Sequence, residues 1–166
     1  VENTPPGWSC DVNSTFPRIP DDDPLVLQDV RDRLIGDIEN ACNNELRREG
    51  LQPCEMLTFW YNMYHEGQYQ ERHDHMDGRR PVFLSGVYYN RNPSPTTFYP
   101  ISTHYRSMRY RGIERSGIRE SMYDSYHFKP SEGQIILFPP YLEHEVLRRD
   151  DKDGRLTFSF NLVLQR

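Results

Sequence analysis

The sequence of 166 residues has no long hydrophobic run, few cysteines and no excess of positive charge. Its mean hydropathy of −0.86 argues against a membrane-spanning segment. Three cysteines without metal-type spacing argue against a disulfide framework and predict a reducing, cytoplasmic location; they are Cys10, Cys42 and Cys54. A net charge of −5 and a pI of about 5.7 argue against nucleic acid as the partner.

What the chain does contain is one domain's length of sequence in which the hydrophobic period changes after Gly50. Residues 1–23 are rich in proline and predict an extended N-terminal arm. Asp23-Pro24 is typical of a helix start, and apolar residues at helical spacing up to Gly50 predict one amphipathic helix. We therefore expect residues 24–166 to form a single domain behind the arm.

From Met56 onward the apolar residues recur with a period of two, and one strand face carries Thr58, Trp60, Asn62 and Tyr64. Turn residues separate further predicted strands at Tyr69–His75, Val82–Tyr89, Thr96–Tyr99, Ser125–Lys129, Gly133–Phe138, His144–Leu147 and Arg155–Leu164. A helix followed by about eight short strands predicts a mainly β fold with a flanking helix. The specific expectation is a double-stranded β-helix, that is, a cupin-like jelly roll.

Residues 101–124 break this pattern and interleave five arginines with tyrosines. We interpret them as a long insertion between two strands. Such a loop is typical either of a lid or binding loop, or of a solvated surface segment, and the sequence leaves both open.

Three histidines in two distant patches predict a metal centre. His73 and His75 are two apart on a predicted strand and therefore point to the same face. His144 follows a buried strand and two prolines, so it can meet them from a distant strand. Asp77 shares their parity, which leaves His75 with Asp77 as an alternative pair. A metal held on one side and open on the other is typical of a non-heme iron oxygenase.

Arg155 follows the distal histidine on the last predicted strand. A guanidinium is always charged and binds carboxylates through two hydrogen bonds. Buried in a barrel it needs an anion, which is either an acidic co-substrate or an acidic side chain of the protein.

These motifs together resemble the 2-oxoglutarate- and Fe(II)-dependent oxygenases, in particular a branch found in bacteria and phages. The resemblance rests on His73-Asp74-His75, on Ser85-Gly86-Val87-Tyr88-Tyr89, on Gly133 to His144, and on Arg155 to Asn161. It covers roughly Thr58 to Leu164, apart from the arginine-rich insertion.

The resemblance implies a set of cofactors and roles. Fe(II) would be the metal, 2-oxoglutarate the co-substrate and ascorbate the reductant. Arg155 would bind the far carboxylate of 2-oxoglutarate, and the residues expected around that pocket are Asn62, Tyr64, Ser85, Tyr89 and Thr157. The implied reaction is hydroxylation of a C–H bond, with release of succinate and CO2. A protein or peptide substrate, prolyl in particular, is expected by family analogy, and a small molecule is the alternative.

One departure from the family concerns the metal ligands, because His75 stands where an acidic ligand is usual. We favour His73, His75 and His144, with Asp77 in reserve through a bulge, or with His75 or Asp77 acting only to orient a ligand. Two other hypotheses remain: a three-histidine dioxygenase that does not use 2-oxoglutarate, and a non-catalytic β-sandwich binding module.

Overall fold

The computed structural model describes residues 4–76, 81–99, 125–148 and 153–165. Asp77 and the insertion predicted at residues 101–124 lie outside these ranges. Within them the chain forms one helix and nine strands: β1 Asn13–Ser14, α1 Gln28–Arg48, β2 Cys54–Tyr64, β3 Gln70–His73, β4 Leu84–Arg91, β5 Thr96–Phe98, β6 Tyr126–Phe128, β7 Ile135–Phe138, β8 His144–Val146 and β9 Arg155–Leu164.

Two antiparallel sheets make up the body of the molecule. The larger has the strand order β1-β2-β9-β4-β7, and the smaller has the order β3-β8-β5-β6. Consecutive neighbours within each sheet are mostly distant in sequence, as in a double-stranded β-helix. The predicted jelly roll with a flanking helix is confirmed.

Strand β9 shows how the sequence divides the two faces of the larger sheet. Its apolar residues pack toward α1 in the main core, together with Ile38, Cys42 and Leu46 of the helix. The alternate residues from Arg155 to Asn161 face the interior between the sheets and are polar and buried: Arg155, Thr157, Ser159 and Asn161. Burying a row of polar side chains is costly unless each finds a partner, so this face is the place to look for a binding site.

Gly86 of β4 lets the sheet pack tightly against β9. It lies opposite Phe160, and a Cβ atom at this position would overlap the Phe160 ring. The glycine of the Ser85-Gly86-Val87 motif is therefore required by packing in the sheet rather than by contact with a ligand.

Helix α1 begins later than the sequence predicts. Asp23 accepts hydrogen bonds from the backbone N–H groups of Leu25 and Val26, and its other oxygen accepts one from the Tyr61 hydroxyl. It thus caps a turn that precedes the helix, whose first residue is Gln28. The predicted end is confirmed: Gly50 has a φ of 72°, and Leu51 N–H donates to the carbonyl of Leu46.

Residues 4–23 run along the body of the fold, with short extended stretches separated by turns at residues 5–8, 15–18 and 20–23. Strand β1 extends the larger sheet beside β2, and single bridges join Asp11 to Tyr69 and Arg18 to Phe59. The side of this segment that faces the body is buried at Val12 and Ile19. Among the described residues no helix is both long and apolar enough to cross a membrane.

Candidate metal centre and co-substrate pocket

The three predicted histidines meet at one end of the space between the sheets. His73 ends β3 and lies directly opposite His144, the first residue of β8. His75 follows two residues later, where its backbone N–H donates to the carbonyl of Pro140. One ring nitrogen from each histidine lies within 4.8 Å of the others. Two nitrogens bound to one ion lie at most about 4.2 Å apart, twice the usual metal–nitrogen bond length, so a small movement of the rings would let one ion bind all three.

Each imidazole is oriented by a hydrogen bond at Nδ1. The acceptors are the carbonyl of Glu71 for His73 (2.8 Å), the carbonyl of Leu142 for His144 (3.0 Å) and the Oδ1 atom of Asn161 for His75 (2.7 Å). Because these oxygens only accept, Nδ1 carries the proton in each ring. The lone pair on Nε2 is therefore left for a metal, as is usual for histidine ligands.

Burial keeps the three rings neutral. It lowers the pKa of His75 to about 4, with a further contribution from the neighbouring His73. Burial is also the main cause that lowers the pKa of His73 and, more strongly, that of His144. The cluster is thus deprotonated at neutral pH, the state that binds a cation.

Asn161 is a site residue to which the sequence analysis assigned no role. Its Oδ1 accepts hydrogen bonds from His75 Nδ1 and from the Ser85 hydroxyl, and its Nδ2 donates to Thr58 Oγ1. Three of the four hydrogen bonds that the amide can make are thereby formed, which fixes its orientation. The signal in the sequence was its position: it has the same parity as Arg155 on a strand whose outer residues are apolar.

Arg155 lies in the same cavity and is 2% exposed. One guanidinium nitrogen donates to the carbonyl of Gln68 (2.9 Å), and the group lies 4.5 Å from the ring centroid of Tyr64. Stacking on an aromatic face and a backbone hydrogen bond fix the plane of the guanidinium. A fixed guanidinium in a buried cavity is suited to binding a carboxylate.

The cavity that joins the histidine cluster to Arg155 has about 460 Å³ of empty space, its open mouth included. Its lining comes from both sheets: Trp60, Tyr64, Gln70, His73, His75, Val87, Tyr89, Ser94, Thr96, His144, Val146, Arg155, Thr157 and Ser159. The Tyr89 hydroxyl lies 2.7 Å from that of Thr96, and the Tyr64 hydroxyl donates to Gln70 Oε1. Burial raises the pKa of both tyrosines, so each hydroxyl keeps its proton.

Two predicted pocket residues are not in this lining. Ser85 lies behind His75 and bonds to Asn161, so it contacts the metal end only through the amide. Asn62 lies opposite Thr157 and donates to the Ser159 hydroxyl, while its Oδ1 atom is buried without a donor in the described part of the chain. Tyr64, Tyr89, Arg155 and Thr157 do line the cavity.

The donor set that the structure brings together contains no carboxylate among the described residues. Asp77, the reserve ligand, lies outside them. Three imidazoles suit first-row transition metals such as iron, nickel and zinc. A cationic metal at one end and an anion at Arg155 would complement each other across the same cavity.

The sequence matches a family model described as "Putative 2OG-Fe(II) oxygenase" over residues 58–161. The chain belongs to this 2-oxoglutarate- and Fe(II)-dependent oxygenase family. The match includes all three histidines, Arg155 and Asn161. The family's metal and its dicarboxylate co-substrate both fit the cavity, which pairs a cluster of neutral nitrogen donors with a buried guanidinium.

Solved structures of other proteins share the fold of this oxygenase at low identity. HygX from Streptomyces hygroscopicus, with nickel and 2-oxoglutarate bound, has a TM-score of 0.57 and 15% identity, over 98% of this chain and 73% of HygX. A Pseudomonas putida prolyl-4-hydroxylase has a TM-score of 0.54 and 14% identity, over 95% of this chain and 73% of the other. The epimerase SnoN from nogalamycin biosynthesis has a TM-score of 0.56 and 15% identity, over 82% and 57%. No curated protein matches the chain.

Proposed function

We propose that this oxygenase is a 2-oxoglutarate-dependent hydroxylase in which His73, His75 and His144 hold Fe(II) and Arg155 binds the co-substrate. The single observation that supports this assignment most is the shared cavity. Three neutral imidazoles and one buried guanidinium line the same space between the sheets. When bound, Fe(II) and 2-oxoglutarate would activate dioxygen, so that one oxygen atom would enter a C–H bond of the substrate and the other would enter succinate, with release of CO2.

The protein's own part in this reaction is to bind, orient and shield. The acceptors at Nδ1 hold each imidazole in one tautomer and one plane, so that little reorganisation is needed when the metal binds. Arg155 supplies a fixed positive charge for the far carboxylate, and Thr157 and Tyr89 supply hydroxyl groups along the same wall. The apolar side chains around the cavity, Val87 and Val146 among them, exclude water.

For the substrate we favour a protein or peptide, and a prolyl side chain is one candidate. The fold shared with a prolyl-4-hydroxylase supports this choice.

Ascorbate is the reductant we expect to keep the metal as Fe(II). Cys10, Cys42 and Cys54 are buried and free, which supports the cytoplasm as the compartment.

A second candidate follows from the absence of a carboxylate in the histidine cluster of the described residues. Three-histidine dioxygenases that do not use 2-oxoglutarate would share such a donor set. Arg155 favours the first candidate, because an enzyme without an acidic co-substrate has no evident use for a buried guanidinium in its metal cavity. Family membership disfavours a non-catalytic binding module.

The test is succinate formation by the purified protein with Fe(II), ascorbate and 2-oxoglutarate under air. We expect slow turnover without added substrate, which is lost in His144→Ala and kept in the matched control His65→Ala, an exposed histidine outside the cluster. Iron binding without 2-oxoglutarate consumption, with oxygen uptake on a substrate alone, would support the three-histidine dioxygenase instead. Equal turnover in wild type and His144→Ala would contradict the assignment of the metal ligands.

A further inference from the structure

A second cavity opens beside the cluster of three histidines, between the N-terminal segment and the body of the fold. Its empty space is about 1420 Å³, open mouth included. It shares Trp60, His73 and His75 with the first cavity, and Trp8 and Phe16 of the N-terminal segment form its opposite wall. A molecule in it would therefore reach the metal end.

The walls of this cavity are aromatic. Trp8 stacks on His73 with ring centroids 6.1 Å apart, and it lies 5.5 Å from Phe16. Phe16 meets Trp60 edge to face at 5.0 Å, and Trp60 lies 5.8 Å from His75. The faces of such rings attract cations as well as aliphatic chains. These aromatic rings lead from the outer surface, where Phe16 is 41% exposed, to the cluster of three histidines.

The charged side chains in the described lining are both acidic. Glu71 and Asp74 lie on either side of His73, and neither forms an ion pair within the described residues. Glu71 Oε1 accepts a hydrogen bond from the backbone of Ser9, whereas Oε2 is buried without a hydrogen bond from a described N–H or O–H group. The thiol of Cys10, a weak donor, lies beside this carboxylate. A buried carboxylate oxygen in this state lacks a strong donor.

Trp60 offers the complementary group. The residue is 2% exposed, and its Nε1–H is buried with no acceptor among the described residues. An unmade hydrogen bond of this kind is costly, and a carbonyl oxygen of a molecule bound in either of the two cavities that Trp60 lines would satisfy it. The occupant should therefore carry a positive charge, an aliphatic stem and a carbonyl acceptor, as a basic residue of a peptide does.

We propose that this second cavity, which we call the substrate cleft, binds the lysine or arginine side chain of a peptide against Trp8, Phe16 and the carboxylates of Glu71 and Asp74. The proposal rests on the proposed function in so far as it makes this peptide the substrate of the adjacent metal site. The charge complementarity of aromatic faces and two carboxylates selects the basic side chain. A peptide is favoured over a free amine because its backbone carbonyl can accept a hydrogen bond from Trp60, whereas an amine brings no acceptor of this kind.

The test measures binding, so that it does not depend on turnover. Fluorescence anisotropy follows labelled nine-residue peptides that differ only at the central residue: lysine, arginine, norleucine or glutamate. The protein is the full chain with Mn(II) and 2-oxoglutarate, and Mn(II) binding to the same samples is measured by electron paramagnetic resonance. We expect the lysine or arginine peptide to bind at least about tenfold more tightly than the norleucine peptide, and the glutamate peptide to bind weakest.

Charge-removing variants keep the local hydrogen bonds, because Glu71→Gln and Asp74→Asn preserve the oxygens that accept from Ser9 and Met76. Each should lower affinity for the basic peptide several-fold and leave affinity for the norleucine peptide unchanged. Trp8→Ala should lower affinity for both peptides. The matched controls are Glu55→Gln and Tyr126→Ala, which change exposed residues outside the cleft.

Three results would overturn the proposal. One is equal binding of the lysine, arginine and norleucine peptides, or preference for glutamate. Another is unchanged affinity for the basic peptide in the double variant of Glu71→Gln and Asp74→Asn. The third is competition by n-butylamine at the concentration at which the peptide binds, which would make the occupant a small amine. Normal Mn(II) binding with any of these results rejects the cleft alone, whereas basic-peptide preference with no Mn(II) binding rejects the proposed function alone.

Discussion

The two ends of the central cavity are prepared for opposite charges by different sheets: the histidines lie on or just after strands β3 and β8 of the smaller sheet, and Arg155 lies on β9 of the larger. At the metal end, three imidazoles are neutral, and each donates Nδ1–H to a fixed oxygen. At the other end, Arg155 keeps its charge and is held by the ring of Tyr64 and the carbonyl of Gln68. The difference shows that hydrogen bonds decide the ring tautomers at one end, while stacking on Tyr64 and one backbone hydrogen bond decide the guanidinium plane at the other. Variants at either end should therefore have separable effects.

The largest effect is expected for His144→Ala, which removes one of the three proposed metal ligands. Changes to groups behind a ligand already weaken metal binding by about 10- to 100-fold, so loss of the ligand itself should cost at least about 100-fold in Mn(II) affinity. Electron paramagnetic resonance titration with Mn(II) measures this directly. His65→Ala is the control, and an unchanged affinity in His144→Ala would show that His144 is not a ligand.

Arg155→Ala should act on the opposite end. Removing one partner of a buried charge pair costs about 2–5 kcal/mol, so affinity for 2-oxoglutarate should fall on the order of 100-fold. Mn(II) affinity, measured without 2-oxoglutarate, should stay within about twofold of wild type. Calorimetric titration gives both constants.

Arg155→Lys is the control for a purely structural effect of Arg155→Ala, which removes more of the side chain. It keeps the charge but loses the two-pronged hydrogen bonding, so it should fall between wild type and Arg155→Ala. Wild-type affinity for 2-oxoglutarate in Arg155→Ala would show that the guanidinium has another use.

Asn161→Ala tests whether an amide behind His75 tunes the metal end. It removes the acceptor at His75 Nδ1, so Mn(II) affinity should fall by about 10-fold or somewhat more, with 2-oxoglutarate recognition at Arg155 little affected. Asn161→Asp supplies a charged acceptor instead and should restore or exceed the wild-type affinity. If Asn161→Ala and Asn161→Asp lose the same affinity, then the amide does not act through His75.

The smallest effect concerns pH. A histidine with the usual pKa near 6.5 would begin to lose its metal at pH 6.5, but burial lowers the pKa of His75 to about 4. Mn(II) affinity should therefore change less between pH 7.5 and 6 than it would at a site of histidines with the usual pKa, and it should fall at more acidic pH.

The same shift affects the free energy of unfolding of the metal-free protein. Between the unfolded pKa near 6.5 and the folded pKa of about 4, the unfolded state binds more protons. The contribution of His75 to stability is thus complete above the unfolded pKa and is lost as pH falls toward the folded pKa. Urea titrations of wild type and His75→Gln across this range should converge at acidic pH. A constant difference between the two would contradict the shift.

The parts of the site that could be predicted from the sequence are those set by strand parity. Two histidines two apart must share a face, and the apolar run before His144 places that residue at the start of a strand. The bounds of β9 agree with the prediction because its strict alternation and long apolar face allow one register. That the three histidines bind a metal and that Arg155 binds 2-oxoglutarate remain predictions.

The parts that could not be predicted depend on contacts between residues distant in sequence. Asn161 and Ser85 are joined by a hydrogen bond across two neighbouring strands, and no local pattern reveals that both serve His75. The turn capped by Asp23 mimics a helix start because the same side-chain oxygen can cap either structure. Trp8 reaches the metal cluster through a segment whose proline-rich sequence predicts only that it is extended.

The most direct test of the central claim is an anaerobic absorption titration of the Fe(II)-loaded protein with 2-oxoglutarate, in wild type, His144→Ala and Arg155→Ala. Chelation of Fe(II) by a 2-oxo acid gives a visible charge-transfer band. We predict the band in wild type, no band in His144→Ala, and a band in Arg155→Ala only at much higher 2-oxoglutarate. No band in wild type, or the same band at the same concentration in all three proteins, would contradict the proposed roles of the histidines and Arg155.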